Sequence, residues 1–229
     1  PPPPSPTPHP TSAASAVYKR QNIAYTTIDD PGLLFNTVLY TGNNSTQSIT
    51  GVGFQPDWLW IKNRGADANH DIVNNVIGST VIMHANTNSA EGTDSNGVTS
   101  FDSDGFSLGN RANTNANNGT MVSWNWKAPT AFSNDASSTG IGTIDSAGNA
   151  SDTSGFSICA YSGTGTAGTI KHGLSSTPKM IIAKSRNAEG VWLIYHKDLP
   201  IKAQLQLQST DGYYEHSGNI YWNGTHPTT

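Results

Sequence analysis

Four aromatic residues late in the chain, Tyr213, Tyr214, Tyr221 and Trp222, stand among Gly, Asn and His. A flat aromatic face complements the C–H face of a pyranose ring and holds it by dispersion and partial charge, so these four are the candidate glycan contacts. Packing of the same rings against a neighbouring module is the competing reading. The other tryptophans read differently. Trp58 with Trp60, and Trp124 with Trp126, are spaced by two within the strand-like runs DWLWIKN and MVSWNWKAP, which places each pair on one face of a strand, in a sandwich core.

Other constellations bear on chemistry. Asp102-Ser103-Asp104-Gly105 sets two carboxylates ahead of a glycine, as a calcium loop begins, but a glutamate is needed at the twelfth position and Asn113 stands there. A hairpin turn fits better. The histidines His9, His70, His84, His172, His196, His216 and His226 form no HxH or HxxxH pair with supporting carboxylates, so no zinc site is indicated. GTGTAG at 163–168 lacks the lysine and the following helix of a phosphate loop and reads as a turn. No G-x-S-x-G elbow occurs. Paired acids of a polysaccharide hydrolase meet only in the fold and are not excluded by spacing, although Asp94, Asp102, Asp104, Asp135, Asp145, Asp152 and Asp211 all sit in turn-like sequence. The expectation is a protein that is not an enzyme, with no catalytic residue, no metal ligand and no cofactor.

The elements that must carry these residues follow from composition. Of 229 residues only 12% are charged and 34% apolar, and Gly, Ser, Thr and Asn fill much of the remainder, as in short strands joined by many turns. A net charge of −4 without a run of Lys or Arg gives no footprint for a nucleic-acid backbone. No run of eighteen apolar residues is present, so membrane insertion by a helix is not expected. The single cysteine, Cys159, lies in the apolar run FSICAY and reads as a small buried side chain.

Along the chain, 1–16 is a Pro/Ser/Thr-rich extended linker, 17–32 a leading strand and the turn Asp29-Asp30-Pro31-Gly32, 33–129 a first β module, 130–153 a Ser/Gly/Asn-rich connector in which TGIGTI suggests a short strand, and 154–229 a second β module. The modules are related by a repeat. YTGNNSTQSITGVGFQPDWLWIKNR at 40–64 returns as YSGTGTAGTIKHGLSSTPKMIIAKSR at 161–186. Tyr40 aligns with Tyr161, Gly42 with Gly163, Ile49 with Ile170, Gly51 with Gly173, Pro56 with Pro178, Lys62 with Lys184 and Arg64 with Arg186, with one extra residue at His172. The second copy is incomplete: nothing in it answers FDSDGFSLG or MVSWNWKA, so further chain or a neighbouring subunit is expected to supply those strands. The predicted core is Leu39, Phe54, Trp58, Trp60, Phe106, Trp124, Phe156, Ile158, Ile181, Trp192, Ile194, Leu205 and Leu207.

NTVLYTGNNSTQSITGVGFQPDWLWIKNR, followed by VTSFDSDGFSLG and SWNWKA, resembles the repeated module of virion structural proteins of marine bacteriophages, chiefly those infecting cyanobacteria. GFSICAYSGTGTAGTIKHGLSSTPKMIIAKSR with VWLIYHKDL is similar to the companion repeat. The resemblance implies an all-β chain of two tandem antiparallel β-sandwich modules, jelly-roll or concanavalin-like. It implies a surface appendage or tail-associated protein of the virion, a tail fibre or spike for example, assembled as a homo-oligomer with other virion subunits and contributing to host attachment. No catalytic residue is carried over. A carbohydrate-binding adhesin that takes a host-surface glycan is the alternative expectation.

Overall fold

The computed structural model describes residues 28, 30–215, 217, 218 and 221–229. The expected linker at 1–16, residues 17–27 of the expected leading strand, and His216 lie outside the described residues. Where the description becomes continuous, Asp30 accepts a hydrogen bond from the Gly32 amide and starts a single 3-10 turn, Pro31–Leu33. Proline suits that first position because its missing N–H has no partner there to lose.

Strands follow in quick succession: β1 (Phe35–Thr41), β2 (Gln47–Ile49), β3 (Trp58–Asn63), β4 (Asp71–Asn74), β5 (Gly78–His84), β6 (Gly92–Thr93), β7 (Val98–Asp102), β8 (Gly105–Leu108) and, after the one-turn helix α1 (Ala112–Asn115), β9 (Thr120–Trp126). They form a six-stranded antiparallel sheet in the order β1-β9-β3-β4-β5-β6 and a three-stranded sheet β2-β8-β7. Period-two alternation decides what lies between them. Leu59 and Ile61 of β3, Val73 of β4, Ile82 of β5 and Met121 of β9 point inward and meet Ile49, Val98, Phe106 and Leu108 of the smaller sheet.

The outward face of the large sheet is also apolar. Register places Phe35, Trp126 and Trp58 side by side across β1, β9 and β3, with Trp124 and Trp60 in the next row. The second half of the chain covers part of this face. It consists of β10 (Thr130–Asn134), the one-turn helix α2 (Ala136–Thr139), β11 (Ser146–Ser151), β12 (Phe156–Tyr161), β13 (Met180–Ala183), β14 (Leu193–His196), β15 (Ala203–Gln206) and β16 (Tyr214–Glu215). The sheets are β10-β11-β12 and β13-β14-β15-β16. Phe156 stacks on Trp126 at 5.9 Å and meets Trp58 edge-on at 6.2 Å, and Trp192 packs with Ile72, Met83 and Ala85 in a second core.

The two copies of the repeat share part of their succession of elements, although β2 has no strand counterpart in the second. β12 and β13 answer β1 and β3, the meander β13-β14-β15 answers β3-β4-β5, and Ile170, the counterpart of Ile49, makes an isolated bridge to Ile144.

Several expectations are corrected. The connector 130–153 is not a loop, because it supplies β10 and β11, which pair with each other and with β12. Gly148 permits this: a Cβ there would lie 1.9 Å from the Ile158 carbonyl oxygen, so the close approach of β11 to β12 requires glycine. Leu39 is not core but 62% exposed, since Val38 and Tyr40 take the inward positions of β1. Trp58, Trp60 and Trp124 are half-buried on the outward face rather than inside the sandwich, and Phe156, Ile181, Leu205 and Leu207 are also only half-buried. Phe54, Phe106, Ile158, Trp192 and Ile194 are buried as expected.

Candidate functional site

The C-terminal aromatics are positioned by β14, β15 and β16. Tyr195 of β14 is buried, and residues 221–229 fold back onto it: Trp222 meets its ring edge-on at 5.5 Å, and His226 Nδ1 lies 2.7 Å from its hydroxyl. Trp222 is thus half-buried and turned against Tyr195 instead of lying flat at the surface. Tyr214 opposes Gln204 in the β15–β16 pair and its hydroxyl accepts from Gln206 Nε2 at 3.2 Å. Tyr213, Tyr214 and Tyr221 are exposed, at 48%, 44% and 39%. A sugar would therefore meet tyrosine faces and the Gln206 amide before it met Trp222. Burial and the charge of Asp198 push the Tyr195 phenol above its ordinary range, so it stays protonated beside His226.

The Asp102–Gly105 sequence forms a hairpin turn. Asp102 pairs with Gly105 across the β7–β8 end and its carboxylate accepts from Ser100 Oγ and Ser107 Oγ at 2.8 and 2.7 Å. Asp104 reaches over to the loop before β3 and accepts from the amides of Gly51 and Gly53 at 3.0 and 2.6 Å. Those two bonds hold its carboxyl below the usual range. The acidic pair is thereby used as a clasp between loops. No group of three or more His, Cys, Asp or Glu side chains suited to a metal occurs among the described residues.

Two buried carboxylates were not singled out by the sequence. Asp71, wholly buried, accepts from Arg111 Nε at 2.8 Å and Asn113 Nδ2 at 3.4 Å, and His84 Nδ1 stands 3.0 Å away without aligning as a hydrogen bond. Arg111 also bonds Asp94 at 2.5 Å. Burial and the Asp71 charge drive the Tyr40 phenol well above its ordinary value while its hydroxyl donates to the Thr114 carbonyl at 2.6 Å. Asp57, also buried, accepts from the Ala128 amide at 2.5 Å and from Asn75 Nδ2, tying the start of β3 to the end of β9 and to the β4–β5 turn. Burial raises its carboxyl despite these bonds. Asp71 presents no oxygen to solvent, and its guanidinium partner is shared with Asp94, so this cluster acts as an ionic lock and not as an open pair of acids.

Cys159 is half-buried, its Sγ is 3.5 Å from the His172 carbonyl oxygen, and burial pushes the thiol up, away from the thiolate a nucleophile needs.

Residues 30–229 match the model of a protein family described as Domain of unknown function (DUF7483). The chain belongs to that family. No curated protein and no solved structure matches it. The match begins at Asp30, the residue that caps the first turn, and takes in both copies of the repeat and all four candidate glycan contacts.

The missed carboxylates share a cause. Asp57 and Asp71 bond partners that are 71 and 40 residues away, beyond any local spacing rule. The one signal was an aspartate abutting the apolar runs WLWI and IV, where a charge is out of place unless paired.

Proposed function

We propose that this chain is a non-enzymatic structural protein of a bacteriophage virion, a surface appendage such as a tail fibre or spike, built of two tandem jelly-roll or concanavalin-like β-sandwich modules, 33–129 and 154–229. Its partners are other virion subunits in a homo-oligomer, and its location is the particle surface or tail. What supports the reading is the repeat: the copies at 40–64 and 161–186 each end in the first strand of an antiparallel meander, β3-β4-β5 and β13-β14-β15, and the apolar outer face of the large sheet packs against Trp192 and Leu207 of the second half. A rigid rod or knob is made most simply by repeating one strand-built unit, because paired strands resist extension and Ser-, Thr- and Asn-rich loops keep the surface hydrated. The carboxylates described above all serve as clasps, which supports a structural role.

The test is to purify the particles of a phage that encodes this chain, identify it by mass spectrometry of the washed virion, and locate it by cryo-electron microscopy. A chain recovered only from the soluble lysate, absent from the particle, overturns the proposal.

A second reading, a carbohydrate-binding adhesin, is favoured by the exposed Tyr213, Tyr214 and Tyr221 and by the Gln206 amide beside Tyr214. Binding on a glycan array that disappears with Tyr213→Ala and Tyr214→Ala, at an unchanged melting temperature, supports it. An array without signal removes it and leaves the virion proposal standing.

A further inference from the structure

Among the described residues β1 pairs with β9 alone, so one edge of the large sheet is open. Two bonds show which main-chain groups the pairing uses: the Lys127 amide donates to the Leu34 carbonyl and the Gly42 amide to the Gly119 carbonyl, both at 2.9 Å. The register between them is unbroken, so even-numbered residues bond β9, while Phe35, Thr37, Leu39 and Thr41 direct their amides and carbonyls away from it. Side chains satisfy part of that edge, since the Thr37 amide donates to Asn36 Oδ1 and the Thr41 carbonyl accepts from Gln47 Nε2. Phe35 and Leu39 are exposed there.

The repeat shows what such an edge takes. β12 answers β1 residue for residue, from Phe156 in the place of Phe35 to Tyr161 in that of Tyr40. Ile158, in the place of Thr37, turns its carbonyl toward β11, since a Cβ on Gly148 would lie 1.9 Å from that oxygen. The edge of β12 that corresponds to the open edge of β1 is therefore covered by the strand that precedes it in sequence, through the turn at 152–155. In the first half the preceding chain arrives at the equivalent place: Ile28, Pro31, Leu34 and Phe35 line one cavity, with the 3-10 turn Pro31–Leu33 between them.

We propose that the open edge of β1 accepts the chain's own leading segment, residues 22–28, as an antiparallel strand, in the way that β12 accepts β11. Ile28 beside Phe35 sets the register: Thr26 then stands opposite Thr37, Ala24 opposite Leu39 and Asn22 opposite Thr41. Period-two alternation places Tyr25 opposite Val38 and Ile23 opposite Tyr40, the two half-buried residues of β1 that pack against the first core, so the added strand extends that core with its apolar face. NIAYTTI matches β1 in length, seven residues or about 23 Å at 3.3 Å per residue, and its β-branched and aromatic content suits a strand. The short connection through Pro31–Leu33 holds the segment at high effective concentration, which favours it over the same segment of a second copy. The inference rests on the repeat and not on the virion reading.

The test begins with hydrogen exchange of the full, unaltered chain, followed amide by amide. The Phe35 and Leu39 amides are expected to exchange at least about tenfold more slowly than in an unstructured peptide, as opening of a paired edge requires. Thr26→Pro removes an amide that faces β1 and is expected to abolish that protection while leaving β3, β4 and β9 as they were. Cysteine pairing then identifies the occupant. Directly opposed, hydrogen-bonded residues have Cα atoms about 5.5 Å apart, within reach of a disulfide. In a Cys159→Ser background, Ala24→Cys with Leu39→Cys is expected to close a disulfide within one chain at least about tenfold faster than Tyr25→Cys with Leu39→Cys, whose side chains lie on opposite faces. The proposal is overturned if the Phe35 and Leu39 amides of the unaltered chain exchange at the unstructured rate, or if Thr26→Pro leaves their protection intact. It is equally overturned if the two cysteine pairs close at the same rate, or if the disulfide joins two chains, for then the edge belongs to a second copy.

Discussion

Arg111 carries the largest electrostatic burden of any single side chain described here, since it bonds both the wholly buried Asp71 and the half-buried Asp94. Removing one partner of a buried pair strands the other charge in low dielectric, and that costs about 3–5 kcal/mol. Arg111→Met is therefore expected to lower stability by about that amount in a urea titration, and Asp71→Leu added to it to recover most of the loss. A single variant as stable as the parent contradicts the lock. Asp104 is the opposite case, an exposed carboxylate whose value is held below the ordinary 3.8 by the Gly51 and Gly53 amides. A depressed acid stabilises the folded chain above its unfolded pKa, and that contribution disappears as pH falls through the folded pKa. The melting temperatures of the parent and Asp104→Asn should thus differ at pH 7 and converge only as pH falls through the folded carboxyl's own value, which lies below 3.8; a gap that widens in acid refutes the assignment. The hairpin at Asp102–Gly105 could be read from sequence because turn chemistry is local. The role of Asp104 as a clasp could not, because its partners are 51 and 53 residues distant.

At the scale of elements, the sharpest demand falls on β11, where Gly148 faces Cys159 and any Cβ would strike the Ile158 carbonyl oxygen. Gly148→Val is expected to separate β11 from β12 and to raise the exchange rate of the amides of 156–161 at least tenfold, about 1.4 kcal/mol of local opening. Unchanged exchange across that sheet would show that the ladder tolerates the branch. The residues of this strand do not announce it. SAGNAS has no β-branched or aromatic residue, so propensity assigns it to a loop, and tertiary pairing overrides propensity. In contrast, the run WLWI is apolar at both parities because both faces are covered: Leu59 and Ile61 enter the first core, while Trp58 and Trp60 lie against the second. Leu39 failed because VLY fits either parity of a strand. The Tyr40 hydroxyl, bonded to the Thr114 carbonyl, settles the parity by turning Tyr40 inward.

Over the whole molecule, the two halves are joined by more than one apolar contact. Trp192 is 2% exposed, donates its indole N–H to the His84 carbonyl at 2.9 Å, and packs with Ile72, Met83 and Ala85. Around it, Arg186 grips Glu91 through Nε and a second guanidinium nitrogen at 2.6 and 3.1 Å, and the Glu91 amide returns a bond to the Arg186 carbonyl at 2.8 Å. The exposed ion pair adds little on its own, about 0–1 kcal/mol, so burial of Trp192 decides whether the halves melt together. Trp192→Ala removes the indole from a packed site and is expected to cost about 3–5 kcal/mol. Because the loss falls on the contact between halves and not within either ladder, calorimetry is expected to show one transition for the parent and two for the variant, the second-half sheets melting first. Arg186→Ala, by comparison, should move the melting temperature only slightly and leave one transition. If Trp192→Ala also melts in one step at the parent's temperature, burial of Trp192 does not couple the halves, and the coupling runs through the contacts of Phe156 with Trp126 and Trp58.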